Sequence, residues 1–502
     1  MLELCKNYRE NVKRVDKAFR VQENFDLIKK VLYLGEEEIT LYYIDGFVNG
    51  GSMNKLMIYF LSLQGLGKPT VAGGEAAARF FVEHHLPYVE GEYTADTALM
   101  EQMLLSGTTL ILGETFENYA VIVDSRTYPT RSVAEPESDR VMMGARDGFV
   151  ETIVFNTALI RRRIRDPALT MQYLTVGKRS RTDVVLCYLE GQADPKYVAD
   201  LQKKLSSIDT GALTMGHESL AELLISDRWY NPFPKIRYTE RPDVAAAQIM
   251  EGSVAILCDN SPEVMILPSS FFDFTQETND FYFPPLTGTY IRIVRQIVFW
   301  ATLLLVPIWF LLTRNPQDTP TWLRFVLPES QGKISIFAQL MLVEFMIDGL
   351  RMASMNTPSM LSNSLAVVGG LILGDFAVDI GWLIPEVIVY MAFVAIANFS
   401  QRSYQLGYAF KFLRIGLIIL IRLWNYTGLA IGCVGILLLL ATNKTANGRR
   451  GYLYPLLPFD GKALLSLFVR LQKDRVAGAD GVRKDGTSKK DAPPPTHTSK
   501  TE

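Results

Sequence analysis

Three ionisable residues stand at a regular spacing in the apolar C-terminal half of this 502-residue chain. Glu344, Asp348 and Arg351 are spaced i, i+4 and i+7, which places their side chains on one face of a helix. One charge at the centre of a bilayer costs about 2.5–3.5 kcal/mol on insertion scales, so a face with three needs water or partner groups. In an oligomer such a face would form rings of charge that line a cation pore. A salt bridge from Arg351 to the two carboxylates, near the membrane surface, fits the spacing equally well.

Two further polar groups follow that face along the chain. Hydroxyl and amide side chains come first and could line a pore or act only as helix caps and turns: Asn356, Thr357, Ser359, Ser362 and Asn363. An acidic group follows, made of Asp375, Asp379 and Glu386. Gly381 and Pro385 interrupt the acidic group, which favours a solvated loop at the mouth of a pathway over a ligand site.

The elements that must position these residues are apolar runs between residues 291 and 441. A helix needs about 20 predominantly apolar residues to cross a bilayer. The sequence predicts four such spans, at Ile293–Leu312, Ile334–Gly349, Ser359–Gly374 and Ile380–Ala397. These runs predict a polytopic α-helical membrane domain over residues 286–443.

The last apolar run, Phe412–Ala441, is too long and too polar at its centre for one simple span. Arg422 and Asn425 lie in its middle, and we expect a hairpin of two short helices broken near Asn425. Five simple spans are the alternative.

Basic residues near the predicted spans favour the hairpin. With a cytoplasmic N-terminal domain, the basic residues Arg402, Lys411 and Arg414 follow the fourth span and lie inside. A second basic cluster, residues 444–450, follows the last apolar run. That cluster also lies inside only if the last run crosses the membrane twice.

The first 285 residues alternate predicted helices and strands, which is typical of an α/β fold. We expect two soluble α/β subdomains, residues 1–130 and 131–285, with a helical pattern over residues 1–33. After the membrane domain come a juxtamembrane basic segment, residues 444–475, and a tail, residues 476–502. The tail is rich in Lys, Gly, Ser, Thr and Pro and is expected to be disordered.

An arginine cluster ends the predicted helix Phe149–Pro167, and its members are Arg161, Arg162, Arg163 and Arg165. Cations in the last turns of a helix complement the helix dipole. The alternative is a basic docking surface for phosphate or anionic lipid.

Composition and motifs exclude several classes of function. A formal net charge of −2 without a basic stripe argues against a nucleic-acid binder. Four scattered cysteines form neither a disulfide framework nor a zinc site, which suits a reducing compartment. The charged N-terminus is not a signal peptide, so we expect the N-terminal half to stay in the cytoplasm. His84, His85 and His217 lack further ligands at metal spacing, and the sequence predicts no catalytic residues, no metal and no cofactor.

Four segments of the chain resemble the A subunits of the GerA-type spore germinant receptors. They are residues Gly144–Leu169, Val176–Val198, Asn231–Asp243 and Glu251–Phe274. The likeness extends over about residues 20–475. The stretch Arg351–Asp379 resembles a sporulation branch of the family, because it is richer in hydroxyl side chains than the receptor A subunits proper.

The resemblance implies a protein of the endospore inner membrane that acts in germination, with two α/β subdomains on the cytoplasmic (core) side. It further implies ring oligomers, with pentamers expected, that conduct monovalent cations and work with other spore germination membrane proteins. The branch implies an amplifying or accessory channel that is not the ligand-sensing member of a receptor trio. A non-conducting membrane scaffold that assembles or gates other germination proteins is the alternative function. A transporter would need inverted repeats, which the sequence lacks.

Overall fold

The structure of the chain is a computed structural model. It describes residues 3–48, 50–63, 72–87, 90–126, 145–225, 230–277, 280, 282–329, 332–356, 376–399, 401, 403–446 and 451–470. Two units, each built on its own five-stranded antiparallel sheet, precede a helical part.

The described residues of the first unit form four helices and five strands. In chain order they are α1 Tyr8–Ala18, β1 Leu27–Leu34, β2 Glu37–Ile44, α2 Gly50–Ser62, α3 Glu75–His84, β3 Gly91–Thr94, α4 Thr97–Leu105, β4 Thr109–Gly113 and β5 Ala120–Val123. The strand order across the sheet is β1-β2-β4-β5-β3.

The second unit repeats this topology. Its elements are α5 Ile153–Arg163, β6 Leu169–Val176, β7 Thr182–Leu189, α6 Pro195–Ser206, α7 His217–Leu224, β8 Arg237–Thr239, α8 Pro242–Met250, β9 Val254–Cys258 and β10 Val264–Leu267. The strand order β6-β7-β9-β10-β8 matches that of the first sheet position by position. The N-terminal half is therefore two copies of one α/β arrangement, with the domain class that the sequence predicts.

Helices cover both faces of each sheet, which explains why the central strands are buried along most of their length. In β2, Ile39 and Leu41 pack with α2 and α3. The alternate residues Tyr42 and Ile44 pack with α1 and α4 on the opposite face. Successive side chains of a strand point to opposite faces, so a strand between two helix layers is buried on both.

The predicted helix over residues 1–33 is wrong in its second half. The helix ends at Ala18, and residues 27–34 form β1, which pairs with β2 from Leu27↔Ile44 to Leu34↔Glu37. Ile28, Val31 and Leu32 have a spacing that imitates a helix, but pairing with β2 decides the conformation.

The helical part follows the second sheet. It contains α9 Pro285–Arg314, α10 Ile336–Asn356, α11 Pro385–Phe399, α12 Tyr404–Thr442 and α13 Gly461–Phe468. By length and composition, α9 and α12 could cross a membrane, whereas the apolar helix at Pro385–Asn398 is shorter. The predicted span Ser359–Gly374 lies outside the described residues. At 1.5 Å per residue, α9 is about 45 Å long, more than the ~30 Å hydrocarbon core of a bilayer.

Aromatic packing joins the second unit to this helical part. Phe271 lies among the rings of Phe299, Phe410 and Tyr452, with ring centroids 5.9–6.4 Å from its own. The Tyr452 hydroxyl donates a hydrogen bond to the Pro234 carbonyl at 2.8 Å. The chain after α12 therefore returns to the sheet that precedes α9, so this end of the helical part is held against the second unit.

Candidate functional site: a buried ion-pair network

The polar face of α10 meets the N-terminal half of α12. Glu344 pairs with Arg414, and Asp348 pairs with Lys411. Residue numbers rise along α10 as they fall along α12, so the two helices run antiparallel. Two carboxylates from one helix therefore meet two cations from the other.

The Arg414 guanidinium donates hydrogen bonds from all three of its nitrogen atoms. Its Nε and Nη2 donate to Oε1 of Glu344 at 2.8 and 2.6 Å, and its Nη1 donates to the Thr302 carbonyl of α9 at 2.7 Å. Lys411 Nζ lies 3.5 Å from Oε2 of Glu344 and donates to the Glu344 carbonyl at 3.3 Å. One network therefore connects three helices.

Burial makes this network an energetically sensitive contact. Glu344 and Arg414 are each 3% exposed. The formal charges of Glu344, Asp348, Lys411 and Arg414 sum to zero. A buried ion pair persists only when hydrogen bonds satisfy both groups, and removal of one partner leaves an uncompensated buried charge.

The sequence predicts one half of this network, the face of Glu344 and Asp348, but does not identify its partners. It places Arg414 inside the predicted hairpin Phe412–Ala441 and leaves Lys411 in the loop before that hairpin, which is wrong for Lys411. The loop assignment fails because α12 begins at Tyr404, where the Ser403 hydroxyl accepts a hydrogen bond from the Leu406 N–H. The i, i+3 spacing of Lys411 and Arg414 on an otherwise apolar helix was the available signal.

Arg351, the third residue of the predicted face, lies with its guanidinium carbon 5.1 Å from the ring centroid of Tyr408, within the range of a cation–π contact. The cations that neutralise Glu344 come from α12. The contacts of Glu344 therefore differ from the predicted bridge to Arg351.

The structure describes some of the remaining predicted polar residues and not others. Asn356 is the last residue of α10. The predicted residues outside the described ranges are Thr357, Ser359, Ser362, Asn363 and Asp375. Asp379 is exposed, and Glu386, in the first turn of α11, accepts a hydrogen bond from the Glu329 N–H at 3.3 Å.

A break in α12 lies at Asn425. This residue has φ 53° and ψ −125°, outside the helical region. Its side-chain amide exchanges two hydrogen bonds with that of Asn315, at 2.7 and 2.8 Å. Arg314 donates to the carbonyls of Ile421 and Arg422, while the Arg422 side chain is exposed. The end of α9 thus satisfies backbone groups next to the break.

Two glycines let the halves of α12 lie against each other. A Cβ on Gly428 would lie 2.1 Å from the Leu420 carbonyl oxygen, and one on Gly432 would lie 2.4 Å from the Leu417 side chain. Gly428 faces Leu420, and Gly432, further along the chain, faces the earlier Leu417. The two halves therefore run antiparallel, as a hairpin. Small residues at such contacts allow close backbone approach.

Gly428→Ala should destabilise this hairpin by about 1–3 kcal/mol or more, because a backbone carbonyl cannot move aside as a side chain can. Gly416→Ala is the matched control, since a Cβ there meets nothing within 4 Å. Thermal unfolding of the two purified variants measures the difference. Equal melting temperatures would contradict the close contact.

The arginine cluster does not form one docking surface. Arg161 is buried and its Nε and Nη2 each donate to Asp26 of the first unit at 2.9 Å. Arg163 Nη2 donates to Asp147 at 2.5 and 2.7 Å. The side chains of Arg162 and Arg165 are exposed. Arg161 and Arg163 therefore stabilise the fold through ion pairs with carboxylates of the same chain.

His217, which seemed isolated in sequence, has close polar neighbours. Its Nδ1 lies 2.5 Å from Ser261 Oγ, and its Nε2 lies 2.8 Å from Glu263. Burial, together with the charges of Glu218 and Glu263, raises the pKa of Tyr238 beside it. The serine meets Nδ1 and the carboxylate meets Nε2, the reverse of a nucleophilic Ser-His-acid triad. This contact anchors the turn between β9 and β10 to α7.

Metal and thiol chemistry have no assembled site in the part of the chain that the structure describes. No three His, Cys, Asp or Glu residues there lie close enough to hold a metal ion. Burial raises the pKa values of the Cys187 and Cys258 thiols to about 12, so both stay protonated at neutral pH.

Comparison with known proteins identifies the family. Residues 14–477 match the family described as Bacillus/Clostridium GerA spore germination protein. Stage V sporulation protein AF of Bacillus subtilis is 37% identical over 450 residues, which cover 90% of each chain. Spore germination protein KA of the same organism is 28% identical over 97% of this chain and 87% of its own.

One solved structure also aligns with the N-terminal half. It is the crystal structure of the N-terminal domain of the A subunit of the Bacillus megaterium spore germinant receptor GerK3. The match has 25% identity and a TM-score of 0.42, and covers 54% of this chain and 97% of that one. The sequence matches alone establish the family and confirm the resemblance drawn from the motifs. This chain belongs to the GerA family of spore germination proteins.

Proposed function

We propose that this chain is a membrane subunit of a spore germination complex, and that copies of it form a ring that conducts monovalent cations. The observation that carries the proposal is the charged network among otherwise apolar helices. Such residues are costly in a bilayer and mark ion pathways by default. The relatives are named as a sporulation protein and a spore germination protein, which supports a role in germination.

Asp348 is the carboxylate best placed to meet a permeating ion. Its side chain is 36% exposed in the single chain, whereas that of Glu344 is 4% exposed. In a ring, with a pentamer as the expected count, α10 would present one Asp348 per subunit to the axis. Rings of carboxylates are how many cation channels select their ions.

The proposed location is the inner membrane of the endospore, with both α/β units on the core side. α9 and α12 are the helices whose length and composition support this placement. Other spore germination membrane proteins are the proposed partners, and the two α/β units are the surfaces available to assemble with them.

A non-conducting scaffold is the second candidate, and the neutrality of the network favours it. Glu344 is matched by Arg414, and Asp348 by Lys411. In this role the network fixes the packing of α9, α10 and α12 and carries no ion. Neutralising the partly exposed Asp348 would then leave germination unchanged, while disrupting the α/β units would abolish it.

Asp348→Asn should lower cation conductance in liposomes that contain the purified, assembled protein, because it removes a negative charge from the pathway. Asp209→Asn is the control, since Asp209 is exposed on the second unit and pairs with Lys178. Flux of potassium and sodium is measured for each. A verified oligomer that passes no cation, even with its germination partners present, would rule out the channel.

A further inference from the structure

A cavity of about 470 Å³ lies where the hairpin of α12 ends against the second unit. Asn231 and Lys235 line it from the second unit, and Asn443 and Lys444 line it from the chain just after α12. Leu438 and Leu439, in the last turns of the hairpin, form an apolar wall. The cavity thus has a polar end and an apolar end.

The polar end suits an anion. Lys235 and Lys444 line it, and no carboxylate does so among the residues described. Asn443 is 6% exposed, and its Oδ1 accepts a hydrogen bond from Asn231 Nδ2 at 3.1 Å. Its own Nδ2 finds no hydrogen-bond acceptor within the described chain. A buried amide donor without a partner is destabilising, a penalty that a bound acceptor would remove.

The apolar end continues onto the outer surface of the hairpin. Leu438 is 59% exposed and Val434, one turn earlier, is 55% exposed. In the proposed membrane placement these side chains face hydrocarbon. A ligand with an anionic head and an alkyl tail could therefore enter from the bilayer.

A second cavity of about 600 Å³ shares three polar residues with the first. Thr442, Asn443 and Lys444 line both cavities. Leu453 and Leu457 provide apolar walls of the second. Apolar surfaces on two sides of one cationic centre fit a lipid with two acyl chains better than they fit an inorganic anion.

We propose that this double cavity binds an anionic phospholipid. Its phosphate accepts hydrogen bonds from Lys235, Lys444 and Asn443 Nδ2, and its acyl chains lie along Leu438 and Leu457. The site rests on the membrane placement proposed above and not on conduction. It would fasten the end of the hairpin to the second unit at the membrane surface, and so make the contact between the two parts sensitive to lipid composition.

The test is lipid retention by the purified full-length protein. The protein is exchanged into nanodiscs of phosphatidylglycerol or of phosphatidylcholine, released, and its bound lipids are counted by native mass spectrometry. Wild-type protein should retain one phosphatidylglycerol in preference to phosphatidylcholine. Lys235→Gln/Lys444→Gln should weaken this retention about tenfold or more, as expected when two charge-assisted contacts are lost. Asn443→Asp, which keeps the size of the side chain but adds a negative charge, should weaken it comparably.

Controls separate the site from general attraction to an anionic membrane. Lys13→Gln/Lys462→Gln removes the same charge from exposed lysines outside the cavities and should retain phosphatidylglycerol as the wild type does. Equal retention of both lipids by the wild type, or loss of preference in the control variant alone, overturns the proposal. Thermal stabilisation by inorganic phosphate equal to that by phosphatidylglycerol also overturns it, in favour of a free-phosphate site. A protein that enters no nanodisc contradicts the membrane placement itself, whereas conductance is not involved in any of these outcomes.

Discussion

Arg414→Leu should destabilise the helical part by about 3–5 kcal/mol, because it leaves Glu344 buried without its principal partner. Arg414 supplies two of the hydrogen bonds to that carboxylate, at 2.8 and 2.6 Å, and a third to the Thr302 carbonyl. Lys411 is the remaining cation, 3.5 Å away, and it also serves Asp348. The substitution would thus remove the hydrogen bonds to Glu344 of α10 and to Thr302 of α9 from the same contact between α9, α10 and α12.

Thermal unfolding of the purified protein in detergent measures this effect. Arg422→Leu is the matched control, since Arg422 lies on the same helix with an exposed side chain and should change stability by less than about 0.5 kcal/mol. The double variant Glu344→Leu/Arg414→Leu should recover most of the loss, because apolar residues can replace a buried ion pair at little cost. A double variant as unstable as Arg414→Leu would mean that packing, not charge, dominates there.

Arg161→Leu should destabilise the α/β half by a similar amount, about 3–5 kcal/mol, for the same reason. It would leave Asp26 buried and unpaired at the contact between the two units, and it would remove the hydrogen bond from Arg161 Nη1 to the Leu169 carbonyl. The segment before β1 rests on β6 here, since the Met171 N–H donates to Asn24 at 2.7 Å. The loss should therefore loosen one unit from the other as well as lower global stability.

Hydrogen exchange distinguishes these two consequences. In Arg161→Leu, exchange of the amides of residues 19–26 should accelerate, relative to the wild type, more than exchange at the centre of either sheet. Arg165→Leu, with its exposed side chain, should exchange as the wild type does. Equally faster exchange throughout both units would indicate that the pair supports global stability and not the contact in particular. Unchanged exchange would contradict its role at the contact.

The sequence predicted local features of the site well and partners poorly. The spacing of Glu344 and Asp348 defines a helix face, because helical periodicity is a local property. Their pairing with Lys411 and Arg414 joins residues about 70 positions apart, which periodicity cannot reveal. The structure starts α12 at Tyr404, after the Ser403 cap, whereas the predicted run starts at Phe412, and this earlier start brings Lys411 onto the helix.

The fold shows the same division between local and distant information. The alternation of helices and strands over the first 285 residues follows from local apolar patterns, and the structure confirms it. β1 was missed because its partner, not its own pattern, fixes its conformation. A polar residue in an apolar run predicts the break at Asn425. Its two hydrogen bonds with the distant Asn315 cannot be predicted from that local pattern. The shared topology of the two units also lies in strand order, which no motif encodes.

The proposed channel and the proposed lipid site both require the helical part to cross a membrane, with the α/β units on one side and the tip of the hairpin on the other. Single cysteines at Asp209 and at Asp318, which accepts a hydrogen bond from Tyr426 beside the break, test this directly in a background with the four native cysteines replaced by alanine. A membrane-impermeant thiol reagent should label Asp318→Cys in intact cells and Asp209→Cys only after lysis. Labelling of both before lysis, or of neither, would contradict the crossing.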